Sequence, residues 1–142
     1  MLTCDMQIKD AKQVSLFWRK SGRSIAVWGR TVHSIAYGLK IDPETGAFSI
    51  VQLESQLRFG ANTYHTHIRD QYINKKLCTD KIQLRLMVRK GRSEIYVNDR
   101  WIFNVGLKDI LTRGDFSLIV DSGEVQIDNL KIHELEPLVL KR

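Results

Sequence analysis

"KIQLRLMVRKGRSEIYVNDRWIF", residues 81–103, decides the fold. Ile82, Leu84, Leu86 and Val88 alternate with Lys81, Gln83, Arg85, Met87 and Arg89. Successive side chains of a strand point to opposite faces, so this period of two predicts one apolar and one wet face. A turn at Gly91 follows, then Ile95 and Val97 on one side and Glu94, Tyr96 and Asn98 on the other. Asn98-Asp99 is a second turn, because both residue types tolerate the left-handed backbone region. Beyond it Trp101, Phe103 and Val105 fall on one face, which predicts Trp101 as a core residue. A second reading competes. A carboxylate at Glu94, the Asn98-Asp99 pair and the rings of Tyr96 and Trp101 could line a sugar site, with Glu94 paired to Asp99 or Glu124 across a cleft. Read as a solvent-face charge, Glu94 lies opposite a cross-strand arginine such as Arg85 or Arg89. The stretch is first of all a hairpin meander.

The same alternation extends outward. "QVSLFWRK" (13–20) aligns Val14, Leu16 and Trp18; "SIAYGLKI" (34–41) aligns Ile35, Tyr37, Leu39 and Ile41; "DFSLIVD" (115–121) aligns Phe116, Leu118 and Val120. "IDPETGAF" (41–48) supplies Pro43 and Gly46 for a hairpin, and "VDSGEV" turns at Ser122-Gly123. From Ile82 to Leu135 the chain therefore reads as a continuous up-and-down meander. In "EVQIDNLKIHEL" Val125 and Ile127 are out of phase with Leu130 and Ile132. A β-bulge near Asp128-Asn129 restores the register, since one inserted residue flips the alternation. Residues 54–80 show no clean pattern.

Helical periodicity is nearly absent, and nine to eleven short strands with regular turns predict an all-β, jelly-roll-like β-sandwich of two antiparallel sheets, one of them with a concave face. At 142 residues one domain is expected, enough to bury roughly two-thirds of the unfolded surface. No segment reaches the roughly 18 apolar residues of a membrane helix, and the start "MLTCDMQIKD" does not read as a secretory signal. The compartment stays open. The chain reads as an excised or accessory piece of something longer.

Net charge is +6, from 22 Lys and Arg against 16 Asp and Glu. The basic residues are scattered singly and no nucleic-acid signature is present, so solvated sheet faces account for them and no nucleic-acid partner is expected. Cys4 and Cys78 are too few and too far apart for a metal site. His65 and His67 share a side of a strand and could take a metal only if a carboxylate such as Asp70 converged on them. Trp28, flanked by Arg23 and Arg30 in "RSIAVWGRTVHS", is a candidate exposed contact for a sugar or partner.

With these strands in place, "IQLRLMVRKG", "SEIYVNDR", "WIFNVGL" and "GDFSLIVDSGEVQIDNLKIHEL" together resemble the C-terminal β-sandwich of the family 32 glycoside hydrolases, the invertases and inulinases. Glu94, Tyr96, Val97, Asn98, Gly114, Gly123, Asn129 and Leu130 occupy that module's motif positions, and the resemblance covers roughly residues 80–136. It implies a concanavalin A-like module that follows a five-bladed catalytic propeller. The family's catalytic motifs are absent; "IRDQ" at 68–71 has Gln71 where its "R-D-P" motif has proline. The implied role is a non-catalytic accessory module of a glycosidase, with the propeller or a glycan as partner, a homo-oligomer contact open, and no cofactor beyond a structural Ca²⁺. Asp42, Asp121 and Asp128 are candidate ligands for that ion. The carbohydrate-contact residues expected are Trp28, Arg30, Glu94, Tyr96, Asn98, Asp99 and Trp101. A free-standing lectin-like or laminin-G-like domain is the alternative. A catalytic glucanase-type sandwich would need carboxylates at i, i+2 and i+4 of one strand, and no strand shows "E-x-D-x-E".

Overall fold

A computed structural model describes residues 1–25, 31–58, 61–89, 92–106 and 115–133. Among them run ten strands: β1 (Leu2–Lys9), β2 (Gln13–Ile25), β3 (Thr31–Asp42), β4 (Ala47–Arg58), β5 (Ala61–Ile73), β6 (Lys81–Arg89), β7 (Arg92–Val97), β8 (Arg100–Gly106), β9 (Asp115–Asp121) and β10 (Glu124–Ile132). They form two five-stranded sheets, ordered β10-β1-β6-β7-β8 and β5-β4-β3-β2-β9, here called sheet A and sheet B. Every paired neighbour is antiparallel. The predicted all-β sandwich is the fold.

The core is what the alternation predicts. Leu2, Cys4, Met6 and Ile8 of β1, Ile82, Leu84 and Leu86 of β6, and Ile95 and Val97 of β7 are buried from one side. Val14, Leu16 and Trp18 of β2, Tyr37, Leu39 and Ile41 of β3, and Phe48 and Ile50 of β4 meet them from the other. Each such side chain taken out of water contributes roughly 1.5–3 kcal/mol before chain entropy is charged against it.

The turns fall where the residue types predict them. Gly46 has φ +74° and closes the β3–β4 hairpin by donating its N–H to the Asp42 carbonyl at 2.9 Å. Asn98 and Asp99 have φ of 50° and 62°, and Ser122 and Gly123 of 52° and 71°. Paired left-handed residues match the right-handed twist of the strands they join. Asn129 has φ 53°, and the β1–β10 register shifts between Thr3 and Asp5, which is the predicted bulge. The turn expected at Gly91 falls outside the described residues.

The meander needs correction. β6, β7 and β8 follow one another in sheet A, but β9 crosses to sheet B and pairs with β2, and β10 returns to pair with β1. The reason is a corner. The short links β1–β2 and β9–β10 lie against each other, with Lys12 N–H donating to the Asp121 carbonyl at 3.0 Å. A Cβ on Gly123 would lie 2.4 Å from the Asp10 carbonyl carbon, so the two links nest backbone to backbone. The β1–β2 and β9–β10 pairs thus bend together from one sheet into the other.

The patternless middle is a hairpin too. β5 is an edge strand whose residues Thr66 to Gln71 are all exposed, so no buried face imposes alternation on it.

Candidate functional site

The outer face of sheet A carries a cross-strand row of five residues. The register places Lys131 of β10 opposite Thr3 of β1, Thr3 opposite Arg85 of β6, Arg85 opposite Tyr96 of β7, and Tyr96 opposite Trp101 of β8. Paired residues share a face, so the five line up across the sheet.

Trp101 reaches that face through a bulge. Ile95 pairs with Phe103 but Tyr96 pairs with Trp101, leaving Ile102 as an extra residue. Phe103 stays buried and Val105 packs against the core, while Trp101 is turned outward and is 56% exposed. The expectation that Trp101 shares the core face with Phe103 and Val105 is therefore overturned. One inserted residue reverses the side on which every residue beyond it projects.

Beside Trp101 the Arg85 guanidinium lies over the Tyr96 ring, 4.2 Å from its centroid. Such stacking is worth about 0.5–1 kcal/mol at exposed sites and more when desolvated. The Arg85 Nε is buried and meets no hydrogen-bond acceptor. Tyr96 donates its hydroxyl to Glu94 Oε2 at 3.5 Å, a long contact. Glu94 is half-buried and stands opposite Met87 and Asn104, with Arg85 on a diagonal rather than opposite it.

Asn98 is committed to the hairpin, where its side-chain Oδ1 accepts the Gln83 N–H at 2.8 Å and its own N–H donates to the Gln83 carbonyl. Asp99 is exposed on the same turn. Glu94 and Glu124 are not brought together, since β1 and β6 lie between their strands. Trp28 and Arg30 lie outside the described residues. Arg85, Asn104, Thr3 and Lys131 were not in the predicted set, because which polar residue meets Tyr96 depends on a register that one strand's sequence does not carry.

The metal candidates stay apart. Asp42 belongs to its own turn, its Oδ1 accepting the Glu44 and Thr45 N–H groups at 3.0 and 3.2 Å. Asp121 pairs with Gln13 in sheet B, and Asp128 with Asp5 in sheet A. His67 is exposed on β5, and the Asp70 carboxylate accepts the Gln71 N–H. Among the described residues no group of three His, Cys, Asp or Glu gathers as a metal site. Cys4 and Cys78 are buried free thiols, and burial, then the charge of Asp5, pushes Cys4 up to about 11.

A concavity of about 320 Å³ opens on the outer face of sheet B between Gln13, Lys40, Asp42, Ser49, Ile68 and Gln71. Gln71 Nε2 donates to Ser49 Oγ at 3.1 Å across it. Among the described residues no aromatic ring lines it, so they offer a sugar no stacking surface there.

No family profile and no curated protein matches the chain. Among solved structures it is similar to the carbohydrate-binding module CBM66 from Bacillus subtilis, at 17% identity and a TM-score of 0.51, over 91% of this chain and 71% of that one. It is also similar to sheep galectin-11 in complex with glycerol, at 11% identity and a TM-score of 0.40, over 89% and 86% of the two chains. At 17% identity the likeness to the first is one of fold: the chain is a β-sandwich of two antiparallel sheets.

Proposed function

We propose that this chain is a glycan-binding, lectin-like domain whose contact surface is the outer face of sheet A around Trp101 and Tyr96. The observation that carries the reading is the β8 bulge, which spends a register shift to turn a tryptophan outward beside a second aromatic. An exposed indole can stack on the C–H face of a sugar ring, and Glu94 and Asn104, opposite each other on β7 and β8, stand beside it as hydroxyl partners. The test is titration of the purified chain against a broad glycan panel that includes fructans, with Trp101→Ala run beside it. Binding that disappears in Trp101→Ala supports the reading; binding that survives it unchanged moves the site elsewhere.

The finer reading is an accessory module of a family 32-type glycosidase. It is supported by the β7 strand and its turn, where Glu94, Tyr96, Val97 and Asn98 stand at the family's motif positions. Fructan preference within the panel, and association with a family 32 propeller stripped of its own sandwich, are the results this reading expects. Equal indifference to fructan and propeller would remove it.

A further inference from the structure

We propose, resting on the glycan reading above, that the Arg85–Tyr96–Trp101 row selects acidic sugars, those carrying a carboxylate or a sulfate, over neutral ones. Among the described residues Arg85 Nε meets no acceptor. The guanidinium carbon lies over the Tyr96 ring, 4.2 Å from its centroid, and the Nε beside it is buried. An arginine held this way has its side-chain entropy already lost, and its planar fork of N–H donors matches carboxylate and sulfate geometry in a way a lysine ammonium does not.

The surroundings point the same way. Lys131 stands at the far end of the row, beyond Thr3. Further along the same face, Arg92 of β7 is exposed. The acidic groups of the face are Glu94, which takes the Tyr96 hydroxyl, Asp5, which takes Asn129 Nδ2 at 2.7 Å, Asp128, which takes Gln126 Nε2, and Glu124, paired in register with Lys9. Asp99 is on the turn beyond β7. None of these carboxylates caps Arg85. Trp101, one strand over from Tyr96, then supplies the apolar platform for the ring whose anion Arg85 holds.

The experiment titrates the full chain with three probes: a neutral fructan oligomer, an oligogalacturonate and a sulfated oligosaccharide, each at two salt concentrations. It is repeated with Arg85→Lys, Arg85→Gln, Trp101→Ala and Lys76→Gln, the last removing the same unit of charge from an exposed loop. The expected result is tighter binding of an acidic probe than of the fructan, weakened about tenfold by Arg85→Lys and by Arg85→Gln, the scale of one lost charged fork contact, and within about twofold of the parent in Lys76→Gln. Whichever acidic probe binds tighter names the anion. Equal binding of neutral and acidic probes, or an acidic preference that falls as much in Lys76→Gln as in the Arg85 variants, overturns the selection and leaves the glycan reading standing. No binding of any probe overturns both. Thermal melts of the Arg85 variants, expected to coincide with the parent within a few degrees, separate a lost contact from a lost fold.

Discussion

Trp18 of β2 donates its indole N–H to the Ser93 hydroxyl of β7 at 3.2 Å, with both side chains buried. Their strands belong to different sheets, so this bond spans the core and ties sheet B to sheet A. Dispersion and burial have no direction; a buried hydrogen bond does, and it sets how the two sheets sit over one another.

Ser93→Ala should therefore cost more than its few lost atoms. The indole N–H would remain buried without an acceptor, a penalty of about 1–3 kcal/mol. Urea unfolding measures it. A midpoint unchanged from the parent would mean that another acceptor serves Trp18.

The two tryptophans make a contrasting pair. Trp18 is 1% exposed and Trp101 is 56% exposed. Trp18→Ala should cost about 3–5 kcal/mol through the cavity it leaves. Trp101→Ala should stay within about 1 kcal/mol of the parent, as surface changes do. Comparable losses in both would mean that Trp101 is packed, and the contact face around it would fall with that result.

The corner gives a backbone test. Gly123 has φ +71° and a Cβ there would lie 2.4 Å from the Asp10 carbonyl carbon. Gly123→Ala has to strain its own dihedral and push the two nested links apart, and should cost at least about 1–3 kcal/mol. Crosslinking or exchange of the Lys12 N–H, which donates to Asp121 at 3.0 Å, should show the corner opening first.

Asn129 tests the β10 bulge. Its φ of 53° suits Gly or Asn, and its side chain also donates to Asp5. Asn129→Gly should fold with a stability close to the parent's, whereas Asn129→Val should lose about 1–2 kcal/mol from the left-handed backbone alone. Deleting Asn129 should cost more than Asn129→Gly, because it removes the residue that carries the β1–β10 register shift together with its bond to Asp5. Chemical denaturation of the three variants orders them.

The thiols set a pH limit. Burial raises the Cys4 pKa from 9.0 to about 11, with the charge of Asp5 adding to it, and burial likewise raises Cys78, with Asp42 adding and Lys75 opposing. The folded state holds these protons more tightly than the unfolded chain does. The stability they confer is then complete below about pH 9 and is lost as pH climbs toward 11. Cys4→Ala should flatten the fall in melting temperature between those values, and native Cys4 should react with thiol reagents far more slowly at pH 8 than in urea.

Much of this molecule is written in its alternation. Ile82, Leu84 and Leu86 must lie on one face of an extended chain, and removing that face from water demands a second sheet, so the sandwich and its core follow from period two and apolarity. The β10 bulge was legible for the same reason: Val125 and Ile127 disagree in phase with Leu130 and Ile132, and a phase error inside one strand is local information. The β8 bulge left no such mark. Trp101, Phe103 and Val105 are in phase in the sequence, and only pairing with β7 forces Ile102 out of register and turns Trp101 to the surface. The same holds for Arg85, whose neighbour is Tyr96 rather than Glu94, and for β9, which leaves its sequence neighbours to pair with β2. Side-chain direction along a strand is set by the strand itself. Which strand lies alongside, and with what offset, is set by contacts between residues far apart in the chain, and the candidate site is made entirely of those.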